Sequence, residues 1–256
     1  MTDNICIIPA RMASGRYPGK PLAPILSVPL VLHVWHRCRM AKKVARVVIA
    51  TCDREIKEAV EAAGGEVVMT AATHPGCVDR TEEAVNILGA PRGEDSLVLM
   101  VQGDEILVTP ESLDDMVGAF ERDRPPVLNL ASRLYREEDF TDPNTVKVVM
   151  AEDGRALYFS REPIPSRSRA PDGVDMYQQT GIIGFTRSFL HTFGTLPRTP
   201  LERLEHIDML RALEHGHRVQ MVKTERETLG VDTPADRDRA ERLLADDPLT
   251  KRYLPR

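Results

Sequence analysis

The apolar positions of the chain fall into two alternating textures. Residues 4–8, 45–51, 66–70 and 96–102 are short runs rich in Val, Ile and Leu, each bounded by polar residues, glycine or proline. They are too short for helices and read as buried strands. Between them, residues 29–40 place Leu30, Val31, Val34, Trp35 and Cys38 on one helical face behind a proline that does no harm at a helix start. Asp53 stands where a cap would open a helix over 54–63 that stops at Gly64-Gly65, and residues 79–88 turn Val85 and Leu88 inward. Strand and helix alternating at this spacing predict an α/β fold on a mostly parallel sheet. A further amphipathic helix runs from Pro110 to about residue 123, and a strand follows over 127–135.

The texture then changes. Residues 146–150, 156–160 and 181–186 read as strands with no clear helix between the first two, which predicts an antiparallel addition. Residues 163–173 (PIPSRSRAPDG) read as a mobile surface loop. Helices over 201–214 and 233–245, with a strand over 218–222 between them, close the fold, and the tail over 247–256 is expected to fray. No repeat or linker divides the chain, so residues 1–246 are expected to form one domain.

Composition narrows the partners. The 256 residues are 42% hydrophobic, enough for a full core. Lys and Arg number 34 against 39 Asp and Glu, a formal charge of −5, so no global basic field points to nucleic acid or an anionic membrane. Cys6, Cys38, Cys52 and Cys77 form no CxxC pair and read as reduced residues of a cytoplasmic protein. No apolar run is long enough to span a bilayer.

Three segments carry candidate chemistry. Residues 7–22, IIPARMASGRYPGKPL, interleave Arg11, Arg16 and Lys20 with Ser14, Gly15, Gly19 and three prolines. Glycine lets a backbone approach a ligand and the cations supply donors for phosphate oxygens, although a basic loop after a strand is commonly just solvated. The spacing is neither that of a P-loop nor that of a dinucleotide fingerprint. Gln102-Gly103-Asp104-Glu105 ends the most apolar strand, at the mouth where open parallel sheets bind ligands, so Asp104 is either a metal ligand or a turn former. Gly230-Val231-Asp232-Thr233-Pro234 offers a second acid before the last helix, where Asp232 or Thr233 could also serve as a cap. Two turn aspartates suit magnesium, which takes one or two carboxylates beside substrate phosphates.

The ordered string in residues 7–22 resembles the signature loop of sugar-activating nucleotidyltransferases, and most closely that of the CMP-Kdo synthetases, the 3-deoxy-manno-octulosonate (Kdo) cytidylyltransferases. VQGDE, NTVKVV at 144–149, ALYFSREPIP at 156–165, the glycines Gly181 and Gly184, and GVDTP follow in the family's order. The resemblance spans residue 7 to about residue 239. It implies a single nucleotidyltransferase domain of Rossmann-like type, dimerising through added strands within about 127–186, with CTP and Mg2+ as requirements. It further implies that Arg11, Ser14, Arg16 and Lys20 meet the nucleotide, that Gln102 and Arg161 meet the sugar acid, and that Asp104 and Asp232 hold magnesium. Lys20, Arg11, Asp104 and Asp232 would then carry catalysis.

Departures from that family are specific. Where it has SGT[ED]R near the base, this chain has Gly76-Cys77-Val78-Asp79-Arg80, keeping the acid and the arginine as nucleotide-binding candidates but losing the small hydroxyl pair. Gln179, Ile183, Asp208 and Met209 replace a histidine, an aromatic, a glutamate and a glutamine at positions that resemble the acceptor pocket. The expected reaction is CMP transfer from CTP to a 3-deoxy sugar acid, by a homodimer acting on neither nucleic acid nor membrane. The altered pocket implies an acid other than ordinary Kdo: an amino-Kdo, another ulosonic acid or a phosphonate. A nucleotide-binding protein without activity is the alternative of another class.

Overall fold

The computed structural model describes residues 4–13, 15–169 and 173–254. Ser14 and residues 170–172 of the expected surface loop lie outside the described residues. The first half alternates as expected: β1 (Ile5–Ala10), β2 (Pro24–Ile25), β3 (Val28–Pro29), α1 (Leu30–Cys38), β4 (Arg46–Thr51), α2 (Arg54–Ala62), β5 (Glu66–Met69), α3 (Cys77–Leu88), β6 (Leu97–Val101) and α4 (Pro110–Asp123). The second half holds β7 (Val127–Arg133), α5 (Glu137–Thr141), β8 (Lys147–Met150), β9 (Ala156–Ser160), β10 (Tyr177–Thr186), α6 (Arg187–Thr195), α7 (Pro200–Glu205), α8 (Met209–Glu214), β11 (Val219–Thr224) and α9 (Pro234–Asp246).

Among the described residues the main sheet has nine strands, in the order β11-β7-β10-β6-β1-β4-β5, with β8 and β9 appended beside β10. Strands β6, β1, β4 and β5 run parallel, as does β11 with β7, whereas β10 is antiparallel to β6, β7 and β8. The expected parallel sheet with an antiparallel addition is therefore present, and a small antiparallel pair, β2 with β3, lies apart from it. Both faces of the sheet are covered: Cys6, Ile8 and Leu99 pack towards α1 and α4, while Ile5, Ile7 and Met100 pack towards α3, α6 and α8. That two-sided burial explains the near-continuous apolar runs of β1 and β6. No described helix is long and apolar enough to cross a membrane.

Three expectations are corrected. The helix over 201–214 is two helices, broken where His206 takes φ 54°, because the last turn of α7 closes there and Asp208 starts α8. Strand β10 begins at Tyr177, earlier than residue 181, since its first residues pair with β7 and β8. The tail does not fray within its described part. Asp247 bonds the buried Arg37 at 2.5 Å, Thr250 is buried, and the Tyr253 ring stacks on His36. A polar terminus can dock when it supplies the counter-ion that a buried guanidinium lacks.

Candidate active site

Parallel pairing of β1 with β6 puts the carboxyl ends of both strands side by side. Gly103 N donates to Pro9 O, and a side chain at Gly103 would meet that oxygen at 3.1 Å, so any other residue would press the two turns apart by a few tenths of an ångström. The basic loop leaves β1 here. Gly19, at φ 75°, returns it so that its N–H reaches Met12 O at 2.9 Å. Asp53 adds a tether that was not expected: standing at the N-cap position of α2, it makes no side-chain cap and instead accepts from Met12 N at 2.7 Å.

The two acid turns, more than a hundred residues apart in sequence, are stitched by backbone. Val231 N donates to Asp104 O at 3.1 Å and Ile106 N to Leu229 O at 3.1 Å. Thr233 caps α9 by accepting from Asp236 N, within a reciprocal capping box, which leaves the Asp232 carboxylate free to face the loop. There Lys20 Nζ sits between the two acids, 2.6 Å from Asp104 Oδ2 and 2.9 Å from Asp232 Oδ1, and also donates to Val231 O at 2.9 Å. Arg16 pairs with Asp232 Oδ2 at 2.8 Å and donates to Asn144 Oδ1 at 2.5 Å. Burial works to lower the Lys20 pKa, but the attraction and hydrogen bonds of Asp104 and Asp232 outweigh it and raise it. The ammonium is thus charged throughout the physiological range.

Two clefts flank this centre. One, of about 470 Å³, is lined by Arg11, Lys20, Pro75, Gly76, Cys77 and Arg80 among others. The second, of about 370 Å³, is lined by Asn144, Arg161, Gln179, Thr180, Ile183 and Arg239 among others. They share a wall made of Arg16, Gln102, Asp104, His206 and Asp208. Gly181 sets Gln102 in that wall: Gln102 N donates to Gly181 O at 2.9 Å, and a side chain at Gly181 would strike Gln102.

The remaining candidates distribute unevenly. Arg80 is buried at the edge of the larger cleft and donates to Thr70 Oγ1 and to Ala71 O. Asp79 lies behind Gly76, its carboxylate facing the same point as that of Asp208, and lines neither cleft. Burial, then the charge of Glu202, pushes the Asp208 carboxyl up. Arg161 donates to three neutral carbonyls, those of Glu205, Pro143 and His206, so among the described residues no carboxylate neutralises it. Met209 is not brought to the site: it is fully buried in the core beneath α8, where a helix-start residue turned from the cleft packs inward. Cys77 is held as an inert thiol, pushed up to about 12 by burial and then by the charges of Asp104 and Asp208.

Sequence reasoning missed two residues. Glu105 is buried, accepts from Gly181 N at 2.5 Å, and is pushed up to about 7 by burial and then by Asp104. Asn129 is an amide fully buried among the apolar residues 127–131 of β7, a break in pattern that the sequence does show. His206, which the sequence groups with Glu205 and Asp208 as a solvated or pocket-facing set, reaches the wall through the helix break that periodicity concealed.

A cationic loop and paired aspartates at the carboxyl ends of a parallel sheet, between two adjoining clefts, define a nucleotidyltransferase-type α/β enzyme. The sequence profile described as cytidylyltransferase matches residues 5–223, and the chain belongs to that family. It is 41% identical over 249 residues to a 3-deoxy-manno-octulosonate cytidylyltransferase of Thermodesulfovibrio yellowstonii, covering 94% of this chain and 98% of that one. It is 43% identical over 244 residues to an 8-amino-3,8-dideoxy-manno-octulosonate cytidylyltransferase of Shewanella loihica, with the same coverage. A solved CMP:2-keto-3-deoxy-manno-octonic acid synthetase complexed with CTP superposes with a TM-score of 0.87 at 32% identity, over 95% of this chain and 99% of that one.

Proposed function

We propose that this cytidylyltransferase transfers CMP from CTP to a hydroxyl of a Kdo-like 3-deoxy sugar acid, releasing pyrophosphate. The observation that carries the reading is the wall shared by the two clefts, because two substrates bound on either side of Gln102, Asp104 and Asp208 would meet there. The larger cleft, with Arg11 and Lys20, suits the nucleotide. The smaller, with Arg161 unneutralised, suits an acid whose carboxylate the guanidinium fork would pair.

Phosphoryl transfer asks a protein mainly for alignment and for neutralisation of charge. Arg16 pairs with Asp232, and Lys20 with Asp104 and Asp232, which holds loop and turns together. A triphosphate would draw both cations to its oxygens and free the two carboxylates. Asp104 Oδ2 and Asp232 Oδ1 already converge on one cation, Lys20 Nζ, and two such hard oxygens fit magnesium completed by phosphates and water. Among the described residues no three acids, histidines or cysteines gather as a metal site, so the phosphates would be needed to complete the coordination. Bound there, magnesium would neutralise phosphate charge at the transferred group. Gln102 and Arg161 would orient the acid so that its hydroxyl faces the α-phosphorus.

Gln179, Ile183 and Asp208 line the smaller cleft and support an acceptor that differs from ordinary Kdo. A homodimer is part of the proposal: among the described residues β9 pairs as a strand with β8 alone, and it carries the half-exposed Leu157. Incubation with CTP, Mg2+ and each acid, followed by 31P NMR, tests the reaction. Equal amounts of pyrophosphate and a CMP phosphodiester are expected; CTP left intact with every acid would refute it.

A further inference from the structure

Strand β10 shifts register against β7 between Gln179 and Ile183, and the side chain of Asn129 fills the shift. Its Nδ2 donates to Thr180 O at 3.0 Å and Ile182 O at 2.9 Å, two backbone carbonyls that can only accept. The orientation of the Asn129 amide is therefore fixed by its partners, and its Oδ1 must be an acceptor. Gln179 meets that oxygen with Nε2, at 2.8 Å. Were the Gln179 amide flipped, two carbonyl oxygens would face each other beside a fully buried side chain. One buried amide thus fixes the polarity of a second amide that lines the smaller cleft.

From this geometry we infer that Asn129 is a positioning residue that makes Gln179 present its carbonyl oxygen to the acceptor, so that the acid must bring a hydrogen-bond donor, a hydroxyl or an ammonium, to that side of the cleft. The inference rests on the proposed reaction. A carboxylate placed against that oxygen would be repelled, which favours an acid whose carboxylate is directed to Arg161. A site built to bond a donor discriminates steeply against an analogue lacking it.

The test measures KM and kcat for Kdo and for 8-amino-3,8-dideoxy-manno-octulosonate, at saturating CTP, in the unsubstituted enzyme and in Gln179→Met, Gln179→Glu and Asn129→Ser. Gln179→Met removes the oxygen, and Gln179→Glu cannot donate to Asn129. Each is expected to raise KM for at least one acid by about tenfold while KM for CTP stays within about twofold, the size of one charge-assisted or well-placed hydrogen bond. Asn129→Ser releases the amide of Gln179, so adding Gln179→Met to it should cost less than adding Gln179→Met to the unsubstituted enzyme. If Asn129→Ser does not fold, the two Gln179 variants decide alone. Turnover with unchanged KM for both acids in both Gln179 variants overturns the placement of Gln179. No turnover of either acid by the unsubstituted enzyme overturns the reaction itself, and the inference with it.

Discussion

Replacing Asp104 by asparagine separates a structural counter-ion from a group that acts on phosphate. The shape is retained and the charge is lost. Lys20 keeps Asp232 Oδ1 and Val231 O, and its side chain is 14% exposed while that of Asp104 is 20% exposed, so solvent screens part of the broken pair. Two unit charges 2.6 Å apart interact by about 6 kcal/mol at a near-surface effective dielectric, before desolvation and screening are set against it. With an amide oxygen still available to accept from Lys20, the net cost to the free enzyme should be about 1–2 kcal/mol, a fall in Tm of ~2–8 °C for a chain of this size. Activity should suffer far more if, as proposed, this carboxylate serves the transferred phosphate. A loss of ~10² in kcat corresponds to about 3 kcal/mol of transition-state stabilisation. Pyrophosphate release at 25 °C and thermal denaturation of the same preparation make the comparison. If Asp104 only balanced Lys20, kcat would stay within about threefold of the unsubstituted enzyme while the protein remained folded, and the assignment would fail. A rise in Tm would contradict the Lys20 bridge.

Asp247→Ala should lower Tm by ~4–10 °C, because it leaves the buried Arg37 without its carboxylate and with neutral partners such as Val108 O and Thr250. An unchanged melting curve would mean that the tail does not dock. Met209→Leu, a volume-conserving core swap, should leave the acceptor KM within about twofold, whereas a pocket role would raise it. Glu202 gives a pH dependence: burial pushes its carboxyl up, but the hydrogen bonds from Arg211 and Arg198 prevail and lower the pKa below 4.5. Its stabilisation is therefore present above about pH 4.5 and lost as pH falls through the folded value. Chemical denaturation of Glu202→Gln between pH 6 and 3 should show a shallower acid loss than the unsubstituted protein, and identical slopes would exclude the pair as a source of acid lability.

The strands β1 and β6 were legible because burial on both faces leaves no polar position to interrupt them, and β4 and β5 because their β-branched runs are too short for helices. Asp104 and Asp232 could be singled out by their turns, but their convergence depends on backbone bonds between residues 104–106 and 229–231 that no local pattern encodes. Periodicity ran through the break at His206 because both flanking helices keep a shared apolar face, Ile207 and Leu210 included. Met209 was placed in the pocket by the resemblance alone, as the counterpart of a glutamine, whereas its side chain belongs to the core. Asn129 was visible as a polar interruption of β7, yet its role depends on the register shift in a strand fifty residues away. The docked tail was hidden for a related reason: Arg37 looks like an ordinary basic residue at a helix end until its burial is known.

Initial rates of pyrophosphate release with CTP, Mg2+ and either Kdo or its 8-amino counterpart bear most directly on the two adjoining clefts as a CMP-transfer site. The predicted result is release that depends strictly on the acid, saturates with it, and reaches a kcat/KM of ~10⁴ M⁻¹s⁻¹ or more for the preferred acid, with Kdo the poorer substrate. Release at the same rate with no acid present, or none with either acid, would contradict it.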